Sequence, residues 1–285
     1  EYIALPEMTD ADLPEILFTE TLENTNKTAR VKISVYNPSG EEITNITVKN
    51  LECTIESQEY KDGRSEIIVN LSNPLECVST YSVLSFTTKG AFNLEYTKEY
   101  EEGEILINVD LYNEIYSLED WYEIRKKNNE NYKLMANLDF KNSDPKQYAG
   151  TNFYGILDGR GHTIKNIYIP SSVGRALFGQ VGNNTKILNL NIQNYNLEKN
   201  GNYVGIIEMG NGLEMKNVNI DTVNLITSSP YTVGGIIGSS NYFEWEDITL
   251  NNVNILAKNL DSSIVGGLLG NGYGLSLIHI SEPTR

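Results

Sequence analysis

A short motif returns every 28 to 32 residues through the C-terminal half of this chain. Ala176-Leu177-Phe178-Gly179 is followed by Val204-Gly205-Ile206-Ile207, then by Val233-Gly234-Gly235-Ile236-Ile237-Gly238, then by Val265-Gly266-Gly267-Leu268-Leu269-Gly270. A repeat of this length with strand-like interiors cannot bury its apolar face alone. It specifies a stack of coils, each completing its neighbour's core.

Between the motif copies lie alternating apolar and polar residues. Leu188-Asn189-Leu190-Asn191-Ile192, Val218-Asn219-Ile220 and Ile248-Thr249-Leu250 recur about one repeat apart. Each has a partner segment: Tyr195-Asn196-Leu197, Val223-Asn224-Leu225 and Val253-Asn254-Ile255. Two such segments plus the small-residue strand of the motif give roughly three faces per turn, with aliphatic side chains inward and asparagines outward or at corners. Asparagine totals 35 residues. In parallel strands about 4.8 Å apart, Asn189, Asn217 and Asn251 are expected to bond to one another up the stack; an AT-rich coding bias is the other reading of the excess. Gly155, Gly159 and Gly161 are expected at corners whose backbone angles penalise a Cβ. A dinucleotide-binding loop is excluded, because another strand begins just after Gly161 where such a loop leads into a long helix.

Charge divides the chain. Residues 1–110 carry 21 acidic and 8 basic residues, net −13, whereas residues 111–285 carry 17 and 14, net −3. The acidic half reads as short antiparallel strands at Ile16-Leu17-Phe18, 31–36, 43–48, 53–55, 65–71, 81–86, 92–96 and 105–109, with Lys61-Asp62-Gly63 as a hairpin turn. Strands at this spacing fit a β-sandwich of immunoglobulin-like size over 1–112, preceded by a proline-containing lead-in with Pro6 and Pro14. Cys53 and Cys77 either form a disulfide, which would suit an exported protein, or are simply two thiols in a chain that hardly uses cysteine. Ser117-Leu118-Glu119-Asp120 has capping form and predicts a helix over 117–127, within a linker of 113–131. This helix is expected to lid the open first rung of the stack, with 132–140 as the first strand.

A net charge of −16 argues against nucleic acid and anionic membrane surfaces as partners. No stretch approaches the roughly 20 apolar residues of a transmembrane helix. Arg125-Lys126-Lys127 is the only basic run and reads as the solvated face of the helix. His162, near Asp158, reads as a ring capping a corner rather than as half of an acid–base pair. Neither His-Glu-x-x-His nor Gly-x-Ser-x-Gly occurs. Glu208, Glu214, Glu244, Glu246 and Asp247 are candidate carboxylates for polysaccharide cleavage. Glu214 and Glu244 are expected on neighbouring coils, where they would share a proton or hold a cation or be solvated rim acids. Tyr195, Tyr203, Tyr231, Tyr242, Phe243 and Trp245 cluster near repeat corners. They either cap the core or, with Tyr203, Tyr231, Tyr242 and Trp245 foremost, form a surface that binds sugars or protein partners.

The repeats resemble the GLUG-type repeats of bacterial surface proteins. From Asp120 through Gly274 the chain resembles the N-terminal non-catalytic region of the immunoglobulin A1 protease-like zinc metallopeptidases, family M26, of Gram-positive bacteria. The resemblance rests on 132–139, on Phe153-Tyr154-Gly155-Ile156-Leu157-Asp158-Gly159-Arg160-Gly161-His162-Thr163-Ile164 and on Leu177-Phe178-Gly179. It implies secretion, wall attachment and a zinc domain downstream, with none of that domain's ligands here. The expectation is therefore an all-β chain: an N-terminal immunoglobulin-like β-sandwich, then a helix-capped right-handed parallel β-helix over 132–275, without catalytic, metal or cofactor residues of its own. The expected role is to position a protease domain and contact a host glycoprotein or cell-wall glycan. The alternatives are a stand-alone adhesin or a β-helical polysaccharide lyase or hydrolase. Glu1 is not an initiator methionine, so the natural N-terminus is expected upstream. Residues 276–285, including His279, resemble translated sequencing adaptor and are expected to be a non-native tail.

Overall fold

The computed structural model describes residues 13–281 except 91–92, 183, 229 and 260–262, with backbone alone over 273–281. The lead-in over 1–12, Phe92 of the predicted strand 92–96 and residues 282–285 of the expected tail lie outside the described residues. The chain divides into two compact units, Glu1–Tyr112 and Asn113–Arg285.

The first unit contains β1 (Glu15–Asn24), β2 (Ala29–Tyr36), β3 (Glu42–Val48), β4 (Glu52–Lys61), β5 (Arg64–Ser72), β6 (Thr80–Lys89), β7 (Glu95–Glu99) and β8 (Leu106–Asn108). One antiparallel sheet runs β1-β2-β5-β4; in the other, β3, β7 and β8 all pair with β6. Alternation drives this packing. Val31, Ile33 and Val35 of β2 and Ile67, Val69 and Leu71 of β5 are fully buried, in one core with Ile46, Val83, Phe86 and Ile107 of the second sheet. The hairpin between β4 and β5 turns on Asp62 and Gly63, at φ of 51° and 78°, and Lys61 pairs with Arg64 across it. Two consecutive positive φ values match the twist of the flanking strands, which is why Asp-Gly stands there. No disulfide joins Cys53 and Cys77. Burial pushes the Cys53 thiol up to about 11.

The second unit is a parallel β-solenoid. It contains β9 (Asn113–Ile115), α1 (Leu118–Glu123), β10 (Tyr132–Leu134), β11 (Leu138–Asp139), α2 (Pro145–Tyr148), β12 (Thr151–Phe153), β13 (Ile156–Asp158), β14 (Thr163–Ile169) and β15 (Phe178–Val181). It continues with β16 (Thr185–Leu188), β17 (Asn191–Glu198), β18 (Tyr203–Val204), β19 (Ile207–Ser228), β20 (Thr232–Gly234), β21 (Ile237–Lys258), β22 (Ile264–Gly266) and β23 (Leu269–Ser281). The motif copies stack in register. Phe178 pairs with Ile207, Ile207 with Ile237 and Ile237 with Leu269; Val204 pairs with Val233 and Val233 with Val265. Val204 and Ile236 are buried in one core, and Leu268 packs against it.

The faces are shorter and more numerous than three per turn. In β19 the backbone enters the left-handed region at Gly212, Asn217 and Thr222, and in β21 at Tyr242, Asp247 and Asn252. Each such residue bends the strand without breaking the ladder, so corners fall every fifth residue. Inward positions follow the same count: Leu213 and Met215, Val218 and Ile220, then Val223 and Leu225 are buried. Asparagine holds two of these six corners, Asn217 and Asn252, and four of those in the earlier coils, Asn166, Asn184, Asn189 and Asn194, because its short polar side chain tolerates positive φ.

The motif glycines answer close packing rather than backbone angle. Gly205, Gly234, Gly235, Gly238, Gly266 and Gly270 are not left-handed; they stand where neighbouring backbone passes too close for a side chain. A Cβ on Gly235 would lie 2.2 Å from the carbonyl oxygen of Gly267. Of Gly155, Gly159 and Gly161 only Gly161 has positive φ, at 77°, beside Arg160 at 49°, whereas a Cβ on Gly155 would lie 2.0 Å from the carbonyl oxygen of Glu130. Close stacking of coils selects glycine there.

Asparagine ladders form, with one change of membership. Asn217 Nδ2 donates to Asn189 Oδ1 at 3.0 Å, and Asn189 Nδ2 donates to Asp158 Oδ1 at 3.1 Å. A second ladder runs from Asn194 to Asn166 to Asp139 at 2.9 and 2.8 Å. Asn251 is not in the first: it pairs with Asp221, because one repeat beyond Asn217 comes Asp247.

The stack begins earlier than expected, since β9 pairs in parallel with β10 from Asn113 opposite Tyr132. Ser117 and Asp120 close a reciprocal capping box on α1, which ends at Glu123, so Arg125-Lys126-Lys127 lies beyond the helix and exposed. Trp121 of α1 is buried and meets Phe140 edge-on at 5.7 Å. The helix thereby closes the apolar interior of the first coils.

Candidate functional site

The candidate carboxylates are dispersed by their columns. Glu214 and Glu244 do stand on neighbouring coils, in register. Lys186 occupies the coil before, also in register, and its Nζ lies 2.5 Å from Glu214 Oε2. The glutamate is thus ion-paired with the lysine of the coil before it. Lys216 Nζ lies 2.8 Å from Glu246 Oε2, an exposed pair in which hydrogen bonding and charge raise the lysine's pKa. Asp158 accepts from the Arg160 amide at 2.9 Å and from Asn189, so its carboxylate is committed to the corner. Among the described residues no group of three or more His, Cys, Asp or Glu side chains is placed to hold a metal ion.

Glu208 has a distinct environment. It follows Val204-Gly205-Ile206-Ile207 where the other motif copies carry Gly179, Gly238 and Gly270. Its side chain is 11 % exposed. Oε1 accepts from the Ala176 amide at 2.8 Å, Oε2 lies 3.4 Å from Lys199 Nζ, and Arg175 Nη1 lies 4.0 Å away on the solvent side. Lys199 also donates to the Tyr203 carbonyl at 2.5 Å. Burial lowers the pKa of this lysine, and Glu208 counters the shift. The cluster joins the segments before β15 and after β17 to β19 of the next coil.

The aromatic residues separate into two groups. Tyr195, Phe243 and Trp245 are buried at 0, 4 and 1 % exposure, so Trp245 is corrected from surface-binding residue to core residue. Alternation along β21 sends it inward beside Phe243, with ring centroids 5.0 Å apart, and its Nε1–H has no acceptor among the described residues. Tyr195 donates to the Gly205 carbonyl inside the same core, and burial raises its pKa. Tyr203, Tyr231 and Tyr242 face outward to different degrees. Tyr203 is half-buried and meets the exposed Tyr231 edge-on at 6.2 Å. Tyr242 is the most exposed at 71 %, on a corner whose φ is 51°.

Among the described residues no helix is long and apolar enough to cross a membrane. No protein-family model matches the chain, and no curated protein matches it in sequence.

Proposed function

We propose that this chain is the non-catalytic positioning region of a secreted or wall-associated bacterial metallopeptidase of the M26 kind, carrying a zinc-dependent protease domain that lies outside this sequence. The observation that supports this reading is the unbroken register between β19 and β21, from Ile207 opposite Ile237 to Ser228 opposite Lys258. A ladder continuous around three corners makes a stiff stalk, suited to holding another domain at a fixed distance from a surface. The Tyr203–Tyr231 pair adds a place for a host or wall glycan, since an exposed ring edge-braced by a second ring presents a rigid apolar platform to a sugar.

Reading the natural coding sequence past residue 274 tests the first part. An in-frame His-Glu-x-x-His on a helix is expected; a wall anchor with no zinc motif would instead make the chain part of a stand-alone adhesin. A glycan array probed with this chain tests the second, with signal expected on host or wall sugars and lost in Tyr231→Ala.

A further inference from the structure

Tyr242 stands where the fold prefers a different residue. Its corner column is Asn184, Gly212 and Tyr242 up the stack, all at positive φ. Asparagine and glycine adopt that backbone readily; a bulky aromatic does so only under strain. The ring gains nothing from the core in return, being 71 % exposed, while its neighbour Phe243 and then Trp245 anchor the strand beneath at 4 and 1 % exposure. Fold stability therefore does not account for a tyrosine here.

The surroundings define the chemistry. Along the face that begins at this corner, Glu214 is ion-paired with Lys186 and Glu246 with Lys216. Glu244, exposed and two residues from Tyr242, has no ion-pair partner among the described residues. An exposed π face two residues along the strand from an exposed carboxylate without an ion-pair partner is complementary to a cation with a flat, weakly hydrated head, which stacks on the ring while donating to the acid. The net charge of −16 steers cationic partners toward the molecule.

We propose that the Tyr242–Glu244 corner is a docking point for an arginine-bearing segment of a partner protein. It is separate from the Tyr203–Tyr231 platform and independent of whether a glycan binds there. The test is fluorescence anisotropy at 0.15 M salt with a labelled hexa-arginine peptide, an isosteric uncharged hexa-citrulline peptide and a neutral cello-oligosaccharide. Saturable binding of hexa-arginine alone is expected, weakened at least tenfold by Tyr242→Asn and by Glu244→Gln, with melting temperature unchanged or raised in Tyr242→Asn. Glu59→Gln, which removes an exposed acid from the first unit, is expected to leave binding within twofold. Three results overturn the proposal: hexa-arginine binding that Tyr242→Asn leaves intact, equal losses from Glu59→Gln and Glu244→Gln, which would indicate diffuse charge attraction, or oligosaccharide binding that Tyr242→Asn abolishes.

Discussion

At the scale of single residues, left-handed corners and close backbone approaches make opposite demands, and each is testable. Thr222 is a β-branched residue at φ 63° in the column that Asn166, Asn194 and Asn252 also occupy. Replacing it with asparagine removes strain worth about 1 kcal/mol and places an amide above Asn194, so Thr222→Asn should raise the urea midpoint. Gly235→Ala should do the reverse, because its Cβ would meet the Gly267 carbonyl at 2.2 Å and force neighbouring coils apart. A loss of about 1–3 kcal/mol is expected from such overpacking. Asp139 gives a pH signature. The Asn166 amide first, then the Lys141 backbone N–H, hold its pKa below the ordinary carboxylate value. A depressed folded pKa stabilises the fold above the unfolded value of roughly 3.9, and that contribution is lost as pH falls through the folded value. Urea midpoints measured from pH 6 downward should therefore fall less steeply in Asp139→Asn than in the parent. These residue roles were only partly legible in sequence. Alternation marks Val204 and Ile236 as core, but Trp245 looks like an exposed ring until the corner at Asp247 is counted and its phase is fixed.

At the scale of elements, the repeat of 28 to 32 residues was plain because its motif combines branched aliphatics with paired glycines. The finer five-residue spacing was also present, in Leu213, Met215, Val218, Ile220, Val223 and Leu225. It escapes a search for strands of period two because each left-handed residue resets the alternation. β9 was missed for another reason: Asn113-Glu114-Ile115 is three residues long, and only its pairing with β10 identifies it. The helix signal at Ser117 was strong because capping chemistry is local, and it located α1 while overestimating its end. The Lys199–Glu208 pair was invisible, since Glu208 reads as a rim acid until its register places it at a glycine position of the motif. Removing one partner of a buried ion pair strands the other charge, typically costing about 3–5 kcal/mol. Lys199→Met and Glu208→Gln should each destabilise the solenoid strongly, and the double variant should lose much less than the sum when unfolding is followed by circular dichroism.

At the scale of the whole chain, the sequence divides its labour by composition. The first unit carries most of the negative charge and builds its core from two antiparallel sheets, while the second replaces charge with glycine and asparagine because its needs are close stacking and bent strands. Both fold classes could be read from pattern alone; the chemistry could not, because outward side chains on a solenoid are set by partners rather than by packing. The central claim is that successive coils stack in parallel and in register, and cysteine crosslinking tests it most directly. Asn219 and Thr249 face each other across β19 and β21, at a strand separation of about 4.8 Å that suits a disulfide. With Asn219→Cys and Thr249→Cys in the folded protein, mild oxidation followed by peptide mapping should show rapid, near-complete pairing of these two thiols, and the offset pair Asn219→Cys with Asn251→Cys should remain largely reduced. Equal crosslinking of both pairs, or preference for the offset pair, would contradict the register on which the solenoid depends.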